Sequence, residues 1–237
     1  MPITYATNFV HANTQNISSS SLTVATNDVI AVLYCNEDAN NAGTASVAKS
    51  AGTSTVSAFT NLANASAVGS CATLAWFCTV TAGGTLTVTV SKTGTAANRS
   101  LLGTYIVTGA DTSNPCPAGN RFSGIDTNGD TTQSITPTAS GSMLLMITGD
   151  WNATNTYAAA ADCTLDDTYH VTNFFTACII RPTTQPRTDS NAFTIGESDT
   201  GATNAWAAFE VKASASAPTS FPPIRQPNLL YPSFFSR

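Results

Sequence analysis

The chain has 237 residues, 42% of them hydrophobic, enough to bury a substantial core, and an all-β sandwich of this length is commonly one domain. Only 10% are Asp, Glu, Lys or Arg, against about 25% in an average soluble domain, so solubility must rest on Ser, Thr and Asn. The net charge is −5 and the nine basic residues are scattered singly, which argues against a nucleic-acid partner because no basic stripe exists to neutralise phosphates.

The opening stretch "MPITYATNFVHANTQ" carries neither a charged n-region nor an apolar h-region, and the longest apolar runs, such as "SMLLMI", are far too short for a membrane helix. The expectation is a protein made in the cytoplasm with no membrane partner.

Apolar spacing of three and four over a dozen residues is missing, while Thr, Val, Ile and aromatic residues alternate with polar ones again and again. The chain therefore reads as all-β. In chain order the expected strands are Ile3–His11, Ser20–Ala25, Val29–Asn36, Ala45–Lys49, Ala72–Val80, Thr85–Ser91, Leu101–Thr108, Ser134–Thr138, Ser142–Gly149, Tyr157–Thr164, Phe174–Arg181, Ala192–Gly196 and Ala205–Ala213. Asn-Asp, Gly-Gly, Ser-Gly and Asn-Gly pairs punctuate them, as strand-connecting turns require.

Six cysteines, Cys35, Cys71, Cys78, Cys116, Cys163 and Cys178, match no paired zinc-ligand spacing. Most lie in apolar runs ("VLYCN", "WFCTV", "TACII"), where a thiol behaves as a small buried hydrophobe; one or two disulfides formed outside the cell are the alternative.

The strands repeat. "SLTVATNDVIAVLY" from Ser21 resembles "SITPTASGSMLLMI" from Ser134, and "TLTVTVSKTG" from Thr85 matches "AFTIGESDTG" from Ala192 without a gap, with Leu86 over Phe193 and Val88 over Ile195. "LLGTYIVTGA" follows against "AWAAFEVKAS", with Leu102 over Trp206, Tyr105 over Phe209 and Val107 over Val211, and "WFCTV" from Trp76 has a looser counterpart from Phe174. Segment order is kept throughout. Two similar halves of about four core strands each would close as one antiparallel two-sheet β-sandwich of jelly-roll type, with residues 1–17 as an N-terminal strand or arm, 18–214 as the sandwich (half-repeats about 18–111 and 131–214) and 215–237 as an extended Pro-rich C-terminal arm. Accidental alignment of Thr/Val-rich strands is the competing reading.

The succession "SSSSLTVATNDVIAVLY", "LAWFCTVTAGGTLTVTV", "LLGTYIVTGAD", "SITPTASGSMLLMITGDW" and "TNAWAAFEVKA" resembles β-sandwich domains of tailed-bacteriophage virion proteins over roughly residues 18–214. Asn27-Asp28 stands where that family more usually has Gly-Asp. The resemblance implies a structural or adhesive virion component, made in the host cytoplasm, and brings no catalytic residues with it.

The last residues, "ASAPTSFPPIRQPNLLYPSFFSR", place five prolines among Phe221, Ile224, Arg225, Leu229, Leu230, Tyr231, Phe234 and Phe235. Proline holds such a segment extended, and a disordered linker is poor in aromatics. These side chains suit an assembly arm that buries itself in a neighbouring subunit; folding back over its own sheet edge is the alternative.

Chemical signatures are sparse. "DTNGD" sets Asp126, Asn128 and Asp130 at the spacing of a calcium loop, yet Pro137 occupies the position where the loop needs an acid, so no metal and no cofactor is expected. His11 and His170 sit in no nucleophile motif, and the carboxylates Glu37, Asp38, Asp166, Asp167, Glu197 and Glu210 show no spacing that singles out a catalytic pair and read as solvated loop charges. The chain is expected to be no enzyme.

Two functions remain. One is a capsid decoration or cement protein anchored by its arm to the major capsid protein or neighbouring virion subunits, homo-oligomeric, with a trimer suggested by analogy to shell-bound jelly rolls. The other is a tail or fibre protein whose loops bind host glycan through aromatics such as Trp151 and Tyr157.

Overall fold

The computed structural model describes residues 3–37, 45–66, 71–93, 99–127, 129–150, 156–198 and 203–215. Its first half contains β1 (Thr4–Ala12), β2 (Ile17–Ser18), β3 (Leu22–Val24), β4 (Val29–Asn36), β5 (Ser46–Ala51), β6 (Thr55–Val56), β7 (Thr60–Ser66), β8 (Ala72–Ala82), β9 (Gly84–Ser91) and β10 (Ser100–Thr108). The second contains β11 (Arg121–Asp126), β12 (Thr132–Ile135), β13 (Met143–Asp150), β14 (Ala158–Ala159), β15 (Cys163–Val171), β16 (Phe175–Pro182), β17 (Phe193–Ser198) and β18 (Asn204–Val211), preceded by a single 3-10 turn at Ala118–Asn120.

Each half repeats one plan. A large sheet runs β1-β10-β4-β8, with β7 and the short β6 both on β8, and faces a small sheet in which β9 lies between β5 and the pair β2 and β3. The second half has β11-β18-β13-β16-β15 facing β12-β17-β14. Chain order alternates between the two sheets as in a jelly roll, except that β7 and β15 fold back as hairpin partners of the next strand. All pairings are antiparallel.

The two large sheets pack against each other, so the molecule is four sheets deep. Instead of the expected single two-sheet sandwich closed from both halves, each half contributes a large and a small sheet. Three apolar layers result. The central one joins Val29, Leu33 and Tyr105 to Leu145, Phe175 and Phe209; an outer one joins Ile30, Tyr34 and Trp76 to Leu86 and Val88; the other joins Leu144, Met146 and Ile180 to Ile135 and Ile195. This layering explains why β4 ("VIAVLYCN") and β13 ("MLLMITGD") are buried at every position: both of their faces meet a sheet.

The repeat holds at strand level with two changes of register. Leu22 pairs with Leu86 and Ile135 with Phe193, which keeps the Ser21/Ser134 and Thr85/Ala192 alignments. Val107 pairs with Val29 and Val211 with Met143, so Val29 corresponds to Met143 and the turn before β13 is one residue longer. Val32 faces Trp76 and Met146 faces Ile180, so the counterpart of Trp76 is Ile180, on a strand that begins one residue after Phe174. β1 and β11 hold equal places beside β10 and β18, so each half opens with an edge strand.

Candidate functional site

Among the described residues, titratable side chains gather most densely where β1 of the first half meets β15 and β16 of the second. His11 Nε2 lies 2.8 Å from Asp167 Oδ2, and its ring stacks on Tyr169 at 4.5 Å with an interplanar angle of 9°. The Tyr169 hydroxyl donates to Asn13 Oδ1 at 2.8 Å. One residue further inward, the Tyr105 hydroxyl and Arg181 Nε both donate to Asp166, at 2.6 Å each, and the Arg181 guanidinium lies over Tyr5. Burial, and then the adjacent Asp166 carboxylate, push the Tyr105 phenol well above its ordinary value.

A bulge creates this arrangement. The ladder of β15 on β16 slips between Leu165 and Asp167, which turns two consecutive carboxylates to different partners in the other half. β7 bulges at the corresponding place, between Asn61 and Ala63, but Leu62 and Ala63 stand there instead of Asp166 and Asp167. One seam between the halves is thus charged and hydrogen-bonded; at its counterpart, where β7 meets β11, Leu62 and Ala63 join the central apolar layer.

An imidazole held by a carboxylate is also half of a hydrolytic triad. Here the ring is covered by Tyr169, and its other nitrogen has no hydrogen-bond partner among the described residues. The geometry is that of a clasp between the halves. His170 lies beside it in sequence and bonds instead to Thr176 and Thr172.

The carboxylates expected to be solvated loop charges include two that are fully enclosed. Glu210 accepts from Asn120 Nδ2 at 2.6 Å, from the Thr138 backbone N–H at 2.9 Å and from the Thr138 hydroxyl. Glu197 accepts from Asn204 Nδ2 at 3.0 Å, and the same amide nitrogen donates to Gly129 O and Thr131 Oγ1. Each ties a connecting segment to the last or penultimate strand, a role visible only once distant residues meet. Glu37 pairs with Arg99 at 2.8 Å; Asp38 lies outside the described residues.

Tyr157, expected on a sugar-stacking surface, is only 5% exposed, and its hydroxyl donates to Asn204 Oδ1 at 2.6 Å. It belongs to the core of the second half. Trp151 lies outside the described residues. So do Asn128 of the calcium-loop candidate and the arm residues Phe221, Ile224, Arg225, Leu229, Leu230, Tyr231, Phe234 and Phe235. Among the described residues no group of three or more His, Cys, Asp or Glu is placed to hold a metal ion, and no helix is long and apolar enough to cross a membrane.

An open cleft of about 360 Å³ lies between β1 and β3, lined by Thr4, Ala6, Thr23, Asp28, Ile106 and Thr108 among others. Both Asp28 oxygens are engaged, one by the Ala25 N–H at 2.7 Å and one by the Thr108 hydroxyl at 2.6 Å, so the carboxylate closes a turn and offers no free charge to a ligand.

No family model, curated protein or solved structure matches this chain. The functional reading rests on the residues themselves.

The small sheet of the first half carries a row of hydroxyls. Ser18, Thr89 and Ser50 form a hydrogen-bonded row across three strands, at 2.7 Å for each contact, and Thr53 and Thr85 continue it. The described chain ends beside the junction of the two halves: Ala213 bridges Ala110, and the Ser214 N–H donates to Gly109 O at 2.9 Å.

Proposed function

We propose that this protein is a non-enzymatic structural component of a virion, a capsid decoration or cement protein whose C-terminal arm pins a rigid double sandwich to the major capsid protein or to neighbouring subunits. The observation that carries the reading is where the arm starts. Residues 215–237, with five prolines set among aromatic and aliphatic side chains, follow directly on a segment tied to β10 of the first half through Ala110 and Gly109. A pull on the arm is therefore shared by both halves, as a lattice clamp requires. Buried Phe, Leu and Tyr anchors supply most of the energy of such contacts, and an extended proline-rich segment loses little entropy on docking.

The resemblance to tailed-phage virion sandwiches supports the same reading, as does the hydrogen-bonded, layered body. A tail or fibre protein binding host glycan is the second reading. The hydroxyl-bearing outer sheet favours it, and the burial of Tyr157 counts against it.

The deciding experiment is co-sedimentation with particles that lack this protein, comparing the full chain with a chain ending at Ser214. The expected outcome is saturable, stoichiometric binding of the full chain and at least a tenfold loss on truncation. Equal binding of the two, or binding of neither, overturns the clamp and moves glycan binding to the front.

A further inference from the structure

Five of the six cysteines are buried and all six are free thiols, but they are not equivalent. Cys78 packs in the outer core of the first half and Cys178 in that of the second. Cys163 sits at the edge of the second half with its sulfur toward Thr194 O, and Cys116 lies beside Arg121, which donates to the Cys116 carbonyl. Cys35 and Cys71 lie diagonally on neighbouring segments of one sheet. Cys35 lies on β4 opposite Thr73 of β8, and Cys71 is two residues before Thr73, one residue outside the strand. Their side chains enter the same central core, where burial and then the neighbouring Cys35 thiol raise Cys71.

Space for the pair is built by the other half. A Cβ added to Gly149 would fall 2.4 Å from Cys35 Sγ, so the sulfur occupies the volume that a side chain at 149 would need. Gly149 is itself the repeat counterpart of Cys35, and Phe175 the counterpart of Cys71, since Gly149 faces Ala177 as Cys35 faces Thr73. The cysteine pair is therefore not inherited from the repeat. It is particular to the first half, and a glycine on the facing sheet accommodates it.

We propose that Cys35 and Cys71 form a disulfide that ties the end of β4 to the start of β8 when the protein meets a low-molecular-weight disulfide such as oxidised glutathione. One cysteine thiolate attacks a glutathione sulfur and releases one glutathione thiolate. The second cysteine thiolate then attacks the protein sulfur of the mixed disulfide and releases the other. The chain gains one S–S bond, and the two thiol protons end on the two glutathione molecules. Cys71 precedes the β8 ladders, which end at Ala72, so its approach to Cys35 does not break a strand pairing. Both sulfurs are enclosed, so the exchange is slow on the folded protein and fast while the chain is still folding.

The test is refolding of the full chain from denaturant in a glutathione redox buffer, acid quench, alkylation under denaturing conditions and peptide mapping by mass spectrometry. Cleavage after Trp76 or Phe77 separates Cys71 from Cys78. The expected product is a single linkage between the Cys35 and Cys71 peptides, with Cys78, Cys116, Cys163 and Cys178 alkylated. The oxidised chain should melt roughly 5–15 °C above its reduced form, and Cys35→Ser should abolish both the linkage and the shift. Alkylation of Cys35 and Cys71 after oxidative refolding, or a linkage between other cysteines, overturns the assignment.

Discussion

Single buried polar residues carry much of the specificity of this fold. Glu210 is fully buried and accepts three hydrogen bonds from Asn120 and Thr138, so it fixes the segment that enters the second half. Glu210→Ala leaves those donors facing an apolar cavity and should cost about 2–4 kcal/mol, whereas Glu210→Gln keeps the shape and should cost about half as much; urea unfolding of both variants measures the difference. The enclosed thiols make a second prediction. Burial pushes Cys78 up to about 12 and raises Cys71, Cys116 and Cys163 as well. In the unfolded chain these thiols lose their protons near pH 8.5, while the folded chain retains them, so the unfolded state binds fewer protons and stability falls as pH rises. The loss runs from about pH 8.5 towards 12, at up to about 1.4 kcal/mol per pH unit for each thiol that remains protonated in the fold. The urea midpoint should drop steadily between pH 8.5 and 10.5, and Cys78→Ala should lessen the slope by about one group's share. A midpoint flat across that range would contradict the burial of these thiols.

At the scale of elements, the turn before β4 shows how one side chain sets a register. Asp28 binds the Ala25 N–H on one side and the Thr108 hydroxyl on the other, joining the entry of β4 to the end of β10. Asp28→Ala should destabilise by about 1–3 kcal/mol and Thr108→Val by less, with non-additive effects in the double variant because the two share a bond; chemical denaturation of the four-member cycle measures the coupling. The same turns decide what could be read from the sequence. Strands that are apolar at every position or cleanly alternating, such as Val29–Asn36 and Gly84–Ser91, are plain in the amino-acid order. β7 ("TNLANAS"), β11 ("RFSGID") and most of β15 ("CTLDDTYHV") are not, because they lie at sheet margins where one neighbour or none imposes a pattern. The repeat was visible, but the one-residue difference in the turn before β13 was not. The seam clasp was hidden altogether: His11 and Asp167 stand 156 positions apart, and neither has a local signature.

For the whole molecule, the central layer makes the two halves one cooperative unit. The faces that meet there carry Val29, Leu33 and Tyr105 from one half and Leu145, Phe175 and Phe209 from the other, an area neither half could leave exposed to water. Close fitting accompanies the burial. A Cβ on Gly103 would come within 2.2 Å of Ile179 Cδ1, so a methyl group there forces Ile179 out of its place across the seam. Asp166 binds Tyr105 of the opposite half and Arg181 of its own, so Asp166→Ala removes a link between the halves and leaves the guanidinium, whose side chain is 19% exposed, with only the Pro182 and Thr183 carbonyls as acceptors among the described residues. If the central layer couples the halves, this variant should lower one shared melting temperature by about 5–10 °C, equivalent to about 2–3 kcal/mol, with calorimetric and van't Hoff enthalpies still equal. If the halves were independent domains in contact, the same substitution would split the transition, leaving a first component near the original temperature. A single shifted peak supports a double body able to transmit load under the proposed clamp; two peaks would remove the mechanical basis of that proposal.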